Sequence, residues 1–185
     1  ERTIELSDEP KQSVELTEFW PDAHLWEPDD PWLYTLSLSV DGDQIDDVVI
    51  ERFGFREFRI VGRKFLLNEK PIYLRPVHHD AINETAGIQE SVEGHLEGYR
   101  RSGFNILELW PRDELERGSV NYWKQWARAA DEKGFLLIYP ALSVNSVVDI
   151  NRRDPEELRR YETLMSKRLR EVRNHPSIVM WTSTA

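Results

Sequence analysis

Two histidines and an aspartate stand in a row at His78, His79 and Asp80, directly after the apolar run Ile72-Tyr73-Leu74-Arg75-Pro76-Val77. Imidazole exchanges a proton near neutral pH, and a neighbouring carboxylate can hold or orient that proton. Glu108 follows Asn105-Ile106-Leu107, and Trp110 and Trp181 end two further apolar runs. All six residues therefore fall where strands finish, the position from which side chains can reach a ligand. Each has a plainer alternative. The His-His-Asp run could be a capped strand end with solvated imidazoles, Glu108 a carboxylate bonded to a neighbouring arginine, and either tryptophan a core residue. A metal site is disfavoured, because successive strand side chains face opposite ways and His78 and His79 cannot both aim at one ion unless the strand has already ended.

The elements that would position these residues divide the chain in two. Over the first 50 residues apolar and polar positions alternate: Thr3-Ile4-Glu5-Leu6, Val14-Glu15-Leu16, then Leu33 to Val40 before the turn Asp41-Gly42-Asp43. Period two with an Asp-Gly turn predicts antiparallel strands. Trp26-Glu27-Pro28-Asp29-Asp30-Pro31-Trp32 lies between them and should be an ordered loop, since its prolines remove donors and forbid helix. Val61-Gly62-Arg63-Lys64 and Asn68-Glu69-Lys70-Pro71 read as further turns.

Beyond about residue 72 the period changes. Buried strands are expected at Ile72–Val77, Phe104–Trp110, Phe135–Tyr139 and Ile178–Trp181, about one βα repeat apart, with helices between them. The last helix should open at Asp154-Pro155-Glu156-Glu157 and bury Leu158, Tyr161, Leu164, Met165, Leu169 and Val172 as one stripe. The one before it carries Tyr122, Trp123, Trp126, Ala127 and Ala130 on one side and stops at Gly134; the first spans Ser91–Ser102. Spacing alone leaves half a barrel and a small open parallel sheet equally possible.

Composition excludes several classes. A net charge of −10, from 24 basic and 34 acidic residues, repels nucleic acid and anionic lipid, so neither a nucleic-acid nor a membrane partner is expected and a neutral substrate fits better. Without cysteine there is no thiolate metal site, disulfide or thiol nucleophile. Localisation is not legible. The absence of an initiator Met, and an end just past an apolar run, lead us to expect a segment of a longer chain.

Four stretches, in order, resemble family 2 glycoside hydrolases, the β-galactosidase, β-glucuronidase and β-mannosidase group. Leu25-Trp26-Glu27-Pro28-Asp29-Asp30-Pro31-Trp32-Leu33-Tyr34 is similar to the sandwich motif L-W-x-P-x-x-P-x-L-Y, and Arg52-Phe53-Gly54-Phe55-Arg56-Glu57 to the junction after it. Phe65-Leu66-Leu67-Asn68-Glu69-Lys70-Pro71-Ile72-Tyr73-Leu74-Arg75 resembles F-L-L-N-G-K-P-I-x-L-R-G before the first barrel strand, and Asn174-His175-Pro176-Ser177-Ile178-Val179-Met180-Trp181 the fourth strand. The resemblance implies the end of an immunoglobulin-like β-sandwich over residues 1–52 and strands one to four of a (β/α)8 TIM barrel over 53–185, with residues 53–70 closing the barrel's lower end.

It also implies a retaining reaction on β-glycosides by two carboxyl groups. Neither catalytic glutamate would lie in this chain. The acid/base would follow Ala185, which occupies the position of the family's asparagine, and the nucleophile belongs to strand seven. His78, His79, Asp80, Glu108, Trp110 and Trp181 would bind the carbohydrate, the indoles by stacking on a sugar ring; no cofactor is implied. Glu108 stands where the family has an arginine that orients the nucleophile, so a non-catalytic glycan-binding descendant is the alternative. Strands one and four would be open edges through which the half barrel could self-associate.

Overall fold

The computed structural model describes residues 2–5, 7, 12–42, 45–80, 88–110, 120–140 and 154–182. Nine strands form three sheets. β1 (Tyr34–Gly42) and β2 (Ile45–Phe53) make an antiparallel hairpin paired from Tyr34↔Phe53 to Gly42↔Ile45. β3 (Phe58–Val61), β4 (Lys64–Leu67) and β5 (Lys70–Ile72) form an antiparallel meander. β6 (Pro76–Asp80), β7 (Ile106–Trp110), β8 (Leu136–Pro140) and β9 (Ile178–Thr182) form a parallel sheet in sequence order, with β6 and β9 at its edges. Helices α1 (Ile88–Arg101), α2 (Val120–Lys133) and α3 (Pro155–Val172) connect the parallel strands. Among the described residues no helix is long and apolar enough to cross a membrane.

Three of the four parallel strands and all three helices match the expected positions, with Asp154 capping α3 by accepting from the Glu156 amide at 2.9 Å. Three expectations need correction. The described residues of Thr3–Leu6 and Val14–Leu16 are not strands: Ile4, Val14 and Leu16 are exposed, and alternation makes a strand only where a neighbour accepts its hydrogen bonds. Ile72–Val77 is not continuous either. Tyr73 to Arg75 separate β5 from β6, because the chain must leave the antiparallel meander before joining the parallel sheet. The α3 stripe is only partly covered, Val172 being buried while Leu158 and Leu164 are exposed. The side chains of Tyr122 and Trp123 lie outside the described residues.

One core layer lies between the parallel sheet and the helices, where Leu107, Leu109, Leu137 and Ile178 meet Leu96, Trp126 and Ala130. The other face carries Ile106 and Leu136, which pack with Trp26 from the proline-rich loop and Leu67 from β4. That loop is ordered as expected, with Glu27 and Asp30 exchanging backbone hydrogen bonds and the Trp26 amide bonded to the Phe55 carbonyl at 2.7 Å.

Asn68 joins the loop to the meander: its Oδ1 accepts from the Glu57 amide at 2.9 Å and its Nδ2 donates to the Trp26 carbonyl at 3.0 Å. Both Asn68 and Glu69 have positive φ, 49° and 64°, the geometry of a hairpin turn that favours Asn-Gly. Lys70 adds an ion pair to Glu27 at 2.8 Å and holds that carboxyl below its ordinary pKa, chiefly by the side-chain hydrogen bond.

Three substitutions test these turns. Glu69→Gly should stabilise the protein by about 0.5–1 kcal/mol, since it relieves a left-handed penalty of about 1–2 kcal/mol and adds less than that in unfolded-state entropy. Gly103 and Gly134 both have positive φ, but a Cβ at Gly103 meets nothing, whereas one at Gly134 meets the Pro28 carbonyl. Urea denaturation should show Gly134→Ala costing about 1–3 kcal/mol more than Gly103→Ala; equal costs would mean the proline-rich loop is not seated against the end of α2.

Candidate functional site

The register of the parallel sheet sorts the candidate residues by face. His78 lies opposite Glu108, and Glu108 opposite Ile138. Paired residues point to the same side, so these three form one layer on the face away from the helices, above the layer of Pro76, Ile106 and Leu136. The His78 Nδ1 is 3.6 Å from the Glu108 Oε2, and both side chains are partly open to solvent. Beneath them the sheet end is plugged by Trp26 and Leu67; above them the strands run out at Asp80, Trp110, Pro140 and Thr182. The layer therefore sits midway along the parallel strands, two residues before their C-terminal ends, with a polar pair over an apolar floor.

His79 is turned the other way. It is buried between the sheet and the helices, hydrogen-bonded through Nδ1 to the Tyr99 hydroxyl at 2.7 Å, with its ring 4.6 Å from that of Trp126 and 5.0 Å from that of His95. Alternation from Val77, which packs on the same side, accounts for this. Trp181 also leaves the His78–Glu108 face: it pairs with Tyr139, and the two rings meet edge-on at 5.7 Å. A register shift between Leu137 and Ile138 produces this placement. Strict alternation from Ile178 would have put Trp181 on the opposite side. The backbones of Asp80 and Trp110 pair with each other, but their side chains lie outside the described residues.

Of the six candidates, the structure thus brings His78 and Glu108 together and separates His79 and Trp181 from them. Ile138 and Pro140 share strand positions on this side and are not among the six candidates; counting in twos from Leu136 finds them. Among the described residues no three histidine, aspartate or glutamate side chains converge on a metal site.

A second polar group lies at the other end of the strands. The buried Asp131 carboxylate accepts from the Ser177 amide at 3.0 Å and bonds His175 Nδ1 at 2.5 Å, while the Asp131 carbonyl accepts from the Trp26 indole at 2.8 Å. Arg56 donates to the carbonyls of Pro176 and Ile178. Its burial pulls the guanidinium pKa below the ordinary value, and the charge of Asp131 opposes that shift. These bonds are internally satisfied and tie Trp26 and the Arg52–Glu57 junction to the start of β9, so this end is structural.

Comparison with known proteins follows the same lines. Residues 2–56 match the family model described as "Glycosyl hydrolases family 2". The chain is 29% identical over 197 residues to a β-glucuronidase of Streptococcus agalactiae, covering 96% of this chain and 32% of that protein. It is 25% identical over 173 residues to a β-galactosidase of Oenococcus oeni, covering 87% of this chain and 16% of the relative. A solved β-glucuronidase from Ruminococcus gnavus, in complex with D-glucuronic acid, superposes with a TM-score of 0.61 at 27% identity, over 87% of this chain and 27% of that one. The chain thus spans a third or less of the length of each of these proteins.

The division between faces is testable by stability. His79→Ala should cost about 2–4 kcal/mol through a cavity and the lost bond to the Tyr99 hydroxyl, whereas His78→Ala should stay within about 0.5 kcal/mol. Similar losses in urea denaturation would contradict the assignment of the two histidines to opposite faces.

Proposed function

We propose that this family 2 glycoside hydrolase chain supplies the first half of a glycosidase barrel and part of the sugar pocket of a protein that cleaves β-glycosidic bonds of carbohydrates. Residues 1–52 are the end of an immunoglobulin-like β-sandwich, and 53–185 the first four strands of a (β/α)8 barrel. The observation that carries the reading is the His78–Glu108 pair. It lies on the first two of four parallel strands in sequence order, one side-chain layer below their C-terminal ends, the end where barrels place their chemistry. The names of the relatives, β-glucuronidase and β-galactosidase, support a glycosidase.

In this reading His78 and Glu108 bond sugar hydroxyls, Asp80 and Trp110 extend the same wall, and His79 and Trp181 brace it from the helix side. Hydrolysis proceeds with retention. One carboxylate attacks the anomeric carbon while the other protonates the leaving oxygen; the second then deprotonates a water that opens the glycosyl ester. Both glutamates come from outside these 185 residues. A second reading, a glycan-binding protein without hydrolysis, is favoured by one residue: Glu108 puts a carboxylate where the resemblance leads one to expect an arginine.

The full-length protein should hydrolyse an aryl β-glycoside with retained anomeric configuration, read by proton NMR of the first-formed sugar, and the 185-residue chain alone should give only the buffer rate. Sugar binding without hydrolysis by the full-length protein would select the second reading. Hydrolysis by the isolated chain would overturn the placement of the catalytic carboxylates.

A further inference from the structure

Of the three relatives, two are named for an anionic sugar, at 29% and 27% identity, and one for a neutral sugar, at 25%. The inner face of the sheet distinguishes them. There Ile106 and Leu136 form an apolar floor against which Val179 packs, and His78, Glu108 and Ile138 form the next layer. Glu108 meets one basic group among the described residues, His78, at 3.6 Å, a distance too long for a hydrogen bond. Two described arginines are committed to backbone carbonyls. Arg56 is held at the opposite strand end by the Pro176 and Ile178 carbonyls, and Arg75 by the Gly103 carbonyl.

A sugar seated on this floor would place its substituents within several ångströms of an acidic side chain, closer than the roughly 8 Å over which salt screens exposed charges. A hydroxyl can donate to that carboxylate. A uronate carboxylate cannot, and would be repelled. From this geometry we infer that Glu108 is a specificity-determining residue which selects a neutral glycoside over a glycosiduronate. The inference rests on the proposed glycosidase reading for the location of the pocket, and it runs against the uronic acid bound by the R. gnavus neighbour.

The test uses the full-length protein and nitrophenyl β-glycosides, a neutral set of galactoside, glucoside and mannoside against the glucuronide. At low salt kcat/KM for the best neutral substrate should exceed that for the glucuronide by about tenfold or more, and Glu108→Gln should narrow the ratio by about tenfold. Raising the ionic strength should narrow it in the wild type and not in Glu108→Gln, a response that a purely structural role would not give. A wild-type preference for the glucuronide, or a ratio unmoved by Glu108→Gln, overturns the inference and leaves the glycosidase reading standing. If no glycoside is hydrolysed, that reading fails instead, and equilibrium binding decides selectivity. Neutral sugars bound ahead of glucuronate sustain the inference; glucuronate bound first, or no sugar bound, overturns it.

Discussion

The buried carboxylate of Asp131, at the end of α2, is the interaction on which the remaining architecture depends. A buried charge is tolerated only when its oxygens are bonded, and here the Ser177 amide, His175 and the nearby charge of Arg56 meet that demand. Those partners come from two distant parts of the chain. Arg56 comes from the junction after the hairpin, and His175 and Ser177 from the turn before β9. The carbonyl of the same residue receives the Trp26 indole. Gly54 allows the junction to approach, since a Cβ there would stand 2.8 Å from Pro176 and 3.2 Å from Trp26. One end of the parallel sheet is thereby sealed by protein.

That division explains why the chemistry-bearing residues gather where they do. At the sealed end, polar groups satisfy one another. At the other, His78 and Glu108 stand over Ile106 and Leu136 with only a long contact between them. The apolar layer matters to the site as much as the polar pair, because it fixes the strand register that sets the two side chains level.

Much of this was legible in the residues. The change of period near residue 72 marks the transition from antiparallel to parallel strands, and the Asp154-Pro155 cap and Gly134 stop fix the helix ends. The four motifs locate the junction, and Trp26, Gly54, Arg56 and Asn68 within them each prove to have a contact that requires that residue type. Two features were not legible. Trp181 changes face because of a register shift between β8 and β9, and a bulge of one residue has no signature in apolar spacing. Leu158 and Leu164 satisfy a helical stripe, yet periodicity states which side is apolar and not whether anything covers it. The early alternation around Val14 fails for the same reason: a pattern fits a strand without supplying its neighbour.

The most direct measurement is a crystal structure of the full-length protein with a slowly hydrolysed or non-hydrolysable glycoside. The account predicts the sugar ring at the C-terminal end of β6 to β9, with a hydroxyl about 2.6–3.2 Å from His78 or Glu108. A ring bound at the Trp26–Arg56 end, or beside His79 among the helices, would contradict it.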